Sequence, residues 1–373
     1  MGLSLTFNDI AGYGVYYLVF AVLFLLVLAS VLKWADDKWV LTFSGLILIF
    51  MAAFRAGSID HDYGNYVTSF IEVAKPADYF LHYDSWIQQE PMAYLLPATA
   101  KLIFSADVYQ QVVFFIFPLV SIAALFTALR KMSLLPAVSV MHFFCYYYMV
   151  HEMTQIRVAV ACSLMLCAAY FHFHKKYKSF AVMCMLAPLF HYGGVMTPLL
   201  LLLKPDVFSQ KKCFILLGFS LLFILIKPEN IVAFFSGTNI PVLQKMDTTI
   251  DVLSSQNDEI SIFNITNLMN IAMVSWLIFN YKKIAERTPY AFLFIKMQVL
   301  SIFLFGLFSF VPYLAFRMSE FWGIGNVITI SYLVYAFRSR LEGYAVVALY
   351  SLALMVLSLH ISGLLLPYKM VFG

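Results

Sequence analysis

The sequence predicts an all-α polytopic membrane protein of about 10 to 12 transmembrane or re-entrant helices, each near the length that a hydrocarbon layer of roughly 30 Å requires. Three observations carry this. Of 373 residues, 62% are hydrophobic and only 12% are charged, about half the charged share of a soluble globular chain. Mean hydropathy is +0.85, and 37 Phe and 23 Tyr add ring surface that a soluble domain of this size has too little interior to hide. The apolar runs are continuous rather than alternating, which excludes a β-barrel. The same composition excludes a disulfide scaffold, a disordered chain and an ordinary cytosolic enzyme. The net charge of +4 is spread along the chain and forms no nucleic-acid-binding face.

The elements follow in order. No basic stretch precedes the first run, 13–32, so no cleaved signal peptide is expected. Met1 to Thr6 fits a myristoylation pattern, which a chain with many spans does not need. After the run 39–54 comes a long loop, 55–106, with Asp60, Asp62, Glu72, Asp78, Asp84 and Glu90 against few bases. Within it, 91–105 contains Pro97 and Lys101 and reads as an interfacial or partly re-entrant helix. Runs at 107–129, 134–150 and 154–173 follow. The stretch 179–203 is apolar but broken at Pro188-Leu189-Phe190-His191-Tyr192-Gly193-Gly194. Two half-helices of a dozen residues reach only ~18 Å each. A re-entrant hairpin with His191 near its tip is therefore expected, because broken backbone at membrane depth must be buried or line a cavity. Then come 213–226, an acidic loop at 227–261, and runs at 262–281, 290–312, 321–337 and 343–361.

Basic residues mark the inner side. They are Lys33, Lys38, Arg130-Lys131, Lys175-Lys176, Lys204, Lys211-Lys212, Lys282-Lys283, Arg287, Arg338 and Arg340. Their alternation puts both termini and the loops near 55–106 and 227–261 on the outer side. No internal repeat appears, so residues 1–373 read as a single integral membrane domain. The five cysteines, Cys145, Cys162, Cys167, Cys184 and Cys213, lack metal-ligand spacing and read as small core residues.

Ionisable residues at the edges of spans are functional candidates, and here nearly all fall on the outer side: Arg55, Asp60, Glu90, Arg157 beside Gln155, and Arg317 with Glu320, while His191 tips the hairpin, which enters from the cytoplasmic side. Arg157 stands at a helix start, where the dipole disfavours a cation, so it needs an anion or a carboxylate partner. Arg317 and Glu320 share a helix face and can pair. Arginine binds phosphate through a planar fork, and a carboxylate or histidine can take a proton from a hydroxyl. Together these suit transfer of a group from a lipid-linked diphosphate, with arginines stabilising the leaving group in place of a metal. No metal or other cofactor is expected. Outward tyrosines, Tyr63 and Tyr66 among them, suit sugar stacking or the aromatic belt.

Phe54-Arg55-Ala56-Gly57-Ser58-Ile59-Asp60, followed by Tyr63 and Tyr66, resembles the R-x-G-x-x-D signature of the EpsG-type, Wzy-like polysaccharide polymerases. Glu90-Pro91, Gln155-Ile156-Arg157, His191-Tyr192-Gly193 and Arg317-Met318-Ser319-Glu320-Phe321 resemble further elements of that family in the same order. One departure is that members often carry R-Q where this chain has Ile156-Arg157-Val158. The resemblance implies a GT-C-like helical bundle in the bacterial inner membrane with its active site towards the periplasm. It implies joining of undecaprenyl-diphosphate-linked oligosaccharide units into O-antigen or another surface polysaccharide. Donor and acceptor would both be lipid-linked glycans, with membrane lipid around the protein and a chain-length regulator as a further partner. On this basis Glu90 is the preferred base, with His191 and Asp60 next. Arg55, Arg157 and Arg317 would bind the diphosphate, with Glu320, Tyr63, Tyr66, Gln155 and Tyr192 lining the substrate site. The rival expectations are an O-antigen ligase-like transferase, a lipid-linked glycan flippase or transporter, and a membrane O-acyltransferase.

Overall fold

The computed structural model describes residues 13–60, 62–81, 89–106, 108–225, 265–309 and 312–371. Every regular element among them is helical. The chain divides into two compact units, Met1–Leu202 with Val327–Gly373, and Leu203–Asn326.

The first unit opens with α1 (Gly14–Val31), which is apolar all round and leaves Leu18 and Leu25 largely exposed. α2 (Asp37–Ala53) starts where the Asp36 carboxylate accepts the Lys38 amide at 2.7 Å, a side-chain cap for a free helix donor. Among the described residues the long loop holds three short helices, α3 (Tyr63–Glu72), α4 (Pro76–Leu81) and α5 (Pro91–Ile103). Pro91 at the first turn of α5 has no amide to leave unpaired. α6 (Tyr109–Met132) ends with Arg130 and Lys131, where cations suit the helix dipole. α7 (Pro136–Phe143) widens into a π-helical stretch, Phe144–Glu152. α8 (Ile156–Phe173) and α9 (Tyr177–Phe190) follow, and a 3₁₀ segment, Tyr192–Leu202, closes this half.

The second unit contains α10 (Gln210–Leu225), α11 (Ile265–Phe279), α12 (Tyr281–Ala285), α13 (Ala291–Leu307) and α14 (Pro312–Gly323). Gly306 of α13 lies against the backbone of Ser220 on α10, and Ser220 donates to the Ile302 carbonyl at 2.7 Å. From Val327 the chain returns to the first unit with α15 (Asn326–Ala336) and α16 (Arg340–Val356), which runs on as a π-helical turn, Leu357–Ile361. Ser339 and Glu342 form a reciprocal capping box at the start of α16.

Large apolar side chains face outwards while polar ones are buried, the inverse of a soluble domain. Phe43, Phe50, Leu199 and Leu349 are exposed, whereas Arg55, Asp60, Glu90, Ser121, His142 and Glu152 are buried. The protein is a helical membrane protein. Among the described residues, four helices are long and apolar enough to cross a bilayer: Gly14–Val31, Tyr109–Met132, Ile156–Phe173 and Arg340–Ile361. Other apolar helices, such as Tyr177–Phe190 and Ala291–Leu307, have 10–17 residues, so at 1.5 Å per residue they reach about 15–26 Å. The apolar stretch expected at 179–203 is two pieces, broken at His191.

α8 is the central helix of its unit. Its small residues Ala159, Ala161, Cys162, Ser163 and Ala169 are all buried, which lets α6, α9 and the 3₁₀ segment approach closely. Ser121 of α6 donates to Glu152 at 2.5 Å and lies 3.1 Å from the Ser163 hydroxyl. At the other end of the chain, the segment after α16 crosses the start of the long loop. The amides of Ala56 and Val371 reach the carbonyls of Lys369 and Phe54, both at 2.9 Å, and Leu366 N–H reaches Ile59 at 2.9 Å. Arg55 and Met370 form an isolated antiparallel bridge. The hydroxyls of Tyr16 and Tyr368 clasp the same segment, donating to Leu366 and Met51 at 3.0 Å.

Candidate active site

Arg55 and Asp60 form an internal clamp. Neither side chain has solvent exposure, and Arg55 Nε donates to Asp60 Oδ2 at 3.0 Å. Arg55 Nη1 donates to the Ala52 carbonyl at 2.7 Å, closing the end of α2. Asp60 Oδ1 accepts the amides of Asp62 at 3.0 Å and Tyr63 at 2.8 Å, which fixes the start of α3. The guanidinium lies over the rings of Tyr63 and Phe114, at 5.5 Å and 5.2 Å, and those rings stack on each other. Gly57 fits this turn because a Cβ there would sit 2.8 Å from the Tyr63 ring. Packed together, Arg55, Asp60 and Tyr63 shape the loop that carries Tyr66, while Arg55 Nη2 is buried with no hydrogen-bond partner among the described residues.

A second cluster is assembled from three distant stretches. Glu90 precedes α5, its carbonyl accepting the amides of Ala93 and Tyr94, while its carboxylate makes no capping bond to the helix. That carboxylate is almost fully buried, yet Arg157 Nη1 donates to Oε2 from the first turn of α8. Here is the carboxylate partner that a cation at a helix start requires. His191 approaches the other oxygen, with Nε2 3.9 Å from Oε1. His191 sits at the break between α9 and the 3₁₀ segment, in extended backbone. Gly193 N–H donates to its Nδ1 at 3.0 Å. A neutral ring whose Nδ1 is an acceptor carries its proton on Nε2, so His191 presents a donor to Glu90.

Tyrosines wall this cluster. The Arg157 guanidinium lies 5.5 Å above the Tyr66 ring. Burial pushes the Tyr66 hydroxyl above its ordinary pKa, against the opposing pull of Arg157. Tyr192 and Tyr79 both donate to the Gln89 carbonyl, at 2.9 Å and 3.2 Å. Burial, then the neighbouring Tyr192 and Glu90, push Tyr79 up to about 12. One third of the Arg157 side chain is exposed, so its fork is open to a ligand while the carboxylate behind it is not.

Gln155 stands just before α8 with no side-chain cap bond. Arg317 and Glu320 pair across one turn of α14 at 3.7 Å, within the second unit. Tyr83, Trp86 and His61 lie outside the described residues. Among the described residues, no three His, Cys, Asp or Glu side chains converge as around a metal ion. Sequence reasoning assigned no role to Gln89, whose carbonyl ties two tyrosines together and whose amide donates to Ser69 at 3.1 Å. Its adjacency to Glu90 was the available signal.

Fold and site together define a multi-span helical membrane protein with an arginine–carboxylate–histidine cluster set beside tyrosines. A match to the EpsG family spans residues 38–370, nearly the whole chain, and the protein belongs to that family. Membership carries a polysaccharide-polymerase type of role, with glycosyltransferase-like activity, at the level of the family. No curated protein and no solved structure matches the chain.

Proposed function

We propose that this protein joins undecaprenyl-diphosphate-linked oligosaccharide units into a surface polysaccharide at the periplasmic face of the bacterial inner membrane. The observation that carries the proposal is the convergence of Glu90, Arg157 and His191 in a chain of the EpsG family. The acceptor hydroxyl attacks the anomeric carbon of the donor glycan. The bond from that carbon to the diphosphate breaks, a glycosidic bond forms, and the hydroxyl proton passes to Glu90. The leaving diphosphate departs with its negative charge stabilised by Arg157.

The Arg157–Glu90 pair is the closed arrangement of this site. While Arg157 holds Oε2, that oxygen of Glu90 is not free to reach a hydroxyl. An incoming diphosphate competes for the planar fork of Arg157. As the guanidinium turns to it, Glu90 Oε2 is released while His191 stays beside the other oxygen. Base and donor are thereby coupled through Arg157. Tyr66, Tyr79 and Tyr192 offer ring faces and hydroxyls to the sugar.

The test is purified protein incubated with a polyprenyl-diphosphate-linked repeat unit, with products resolved by length. A ladder is expected, and it should persist in EDTA because Arg157 performs the electrostatic work. Single transfer to a different acceptor would indicate ligase-like chemistry instead. Loss of the ladder in EDTA with recovery on adding Mg²⁺ or Mn²⁺ would overturn the metal-free mechanism.

A further inference from the structure

Away from this cluster, an open groove of about 470 Å³ runs between α2 and α6 in the first unit. Its floor is set by a close helix approach. Gly45 has no side chain, and a Cβ there would stand 3.3 Å from the Phe126 ring. Leu41, Leu46, Ile49, Ile122, Ala123 and Phe126 make most of the wall apolar. Thr42 donates to the Lys38 carbonyl and Thr127 to the Ala123 carbonyl, both at 2.8 Å, so both hydroxyls are satisfied within their own helices.

The groove has one charged end, where Lys38 of α2 and Arg130 of α6 both line it. Both are exposed, and neither side chain has an ion-pair or hydrogen-bond partner among the described residues. The nearby acids are occupied: Asp36 caps the Lys38 amide and Asp37 accepts the Ser30 hydroxyl at 2.5 Å. The start of α2 adds its positive helix end to the same mouth. From Lys38 to Ile49, the deepest lining residue of α2, the helix rises about 17 Å. That is close to half of a hydrocarbon layer of roughly 30 Å.

From two unpaired cations above an apolar trough one leaflet deep, we infer that the groove between α2 and α6 is a binding site for an anionic phospholipid. The phosphate lies between Lys38 and Arg130, and an acyl chain follows the trough past Thr42, Gly45 and Leu46. Charge selects the occupant, because a zwitterionic lipid fills the trough equally well but brings a cation to a mouth that is already positive. The site is independent of the proposed reaction and involves none of its residues.

The experiment is native mass spectrometry of the full-length protein released from detergent, with defined lipids added. Phosphatidylglycerol should be retained and phosphatidylcholine should not. Each Lys or Arg near an anionic lipid surface contributes a factor of about five in binding, so the double variant Lys38→Gln/Arg130→Gln should weaken phosphatidylglycerol roughly 30-fold. Thr42→Trp leaves both charges in place but fills the trough, and it should also release the lipid. Lys131→Gln removes the neighbouring cation, which sits 4.4 Å over the Tyr170 ring, and should leave retention unchanged. Melting temperatures identify any variant that fails to fold, and the wild-type lipid comparison decides the matter without variants. Equal retention of the two lipids, or equal loss in Lys131→Gln, would overturn the site. So would full displacement of phosphatidylglycerol by inorganic phosphate, since that would reduce it to an anion-binding mouth.

Discussion

Glu90 and Asp60 are both buried carboxylates near the start of a short helix in one loop, and both are held by an arginine. Their other partners give them different work. Asp60 spends its second oxygen on two backbone amides, whereas Glu90 makes no capping bond to its helix. Asp60→Asn therefore leaves Arg55 charged and buried, and breaking such a pair costs about 3–5 kcal/mol. Thermal melting should show that loss directly, with turnover per folded molecule little changed. Glu90→Gln should do the reverse. Removing a positioned proton acceptor costs typically about 10²–10⁴-fold in rate, while lipid-linked substrate should still bind and the melting temperature should hold. Arg157→Lys keeps charge and loses the fork, and the loss of one oriented donor is worth about 10²–10³-fold. If Glu90→Gln is stable and fully active, Glu90 is not the base. If instead both variants lose only stability, the cluster is a structural ion-pair network.

The element that positions His191 is the hairpin of α9 and the 3₁₀ segment, and its break was legible in the sequence. Pro188 and the Gly193-Gly194 pair interrupt an apolar stretch too long for one short helix and too short for two spans. What the sequence did not disclose is why the second glycine is there. A Cβ on Gly194 would lie 2.4 Å from the backbone carbon of Ala187, so the two arms touch backbone to backbone. Gly194→Ala should force the arms apart, at a cost of roughly 1–3 kcal/mol from overpacking. It should also lower activity by moving His191 away from Glu90. Gly64 of α3 has nothing within 4 Å of a Cβ, and Gly64→Ala there should be neutral or stabilising by about 0.5–1 kcal/mol. Melting curves of the two variants check the contrast. The segment after α16 was not legible at all. Its grip on residues 54–59 is made by backbone amides and carbonyls, which carry no residue-type signal.

At the scale of the molecule, composition and continuous apolar runs were enough for a helical membrane protein. Span count was harder, because several apolar helices are shorter than a bilayer is thick. Site residues were legible as types at span edges, and the Arg317–Glu320 pair by its spacing, but the partners of Glu90 and Arg157 were not. Arg55, Glu90, Arg157 and His191 are separated by 34 residues or more, and only packing decides that Glu90 meets Arg157 while Arg55 meets Asp60. The expected orientation rests on charge: lysine and arginine clusters are the usual marks of cytoplasmic span ends, and the loops at 55–106 and 227–261 are acidic. The polymerase proposal requires Glu90 to face the periplasm, so topology tests it without any substrate. In a cysteine-free background, which removes Cys145, Cys162, Cys167, Cys184 and Cys213, single cysteines at Asp84 and Asp258 should react with an impermeant thiol reagent applied to intact spheroplasts. A cysteine at Lys282, in α12, should react only after the membrane is opened. Labelling at Lys282 but not at Asp84 would turn the protein over and put Glu90 and Arg157 beside the cytosol. A lipid-linked donor presented on the periplasmic face would then be out of their reach.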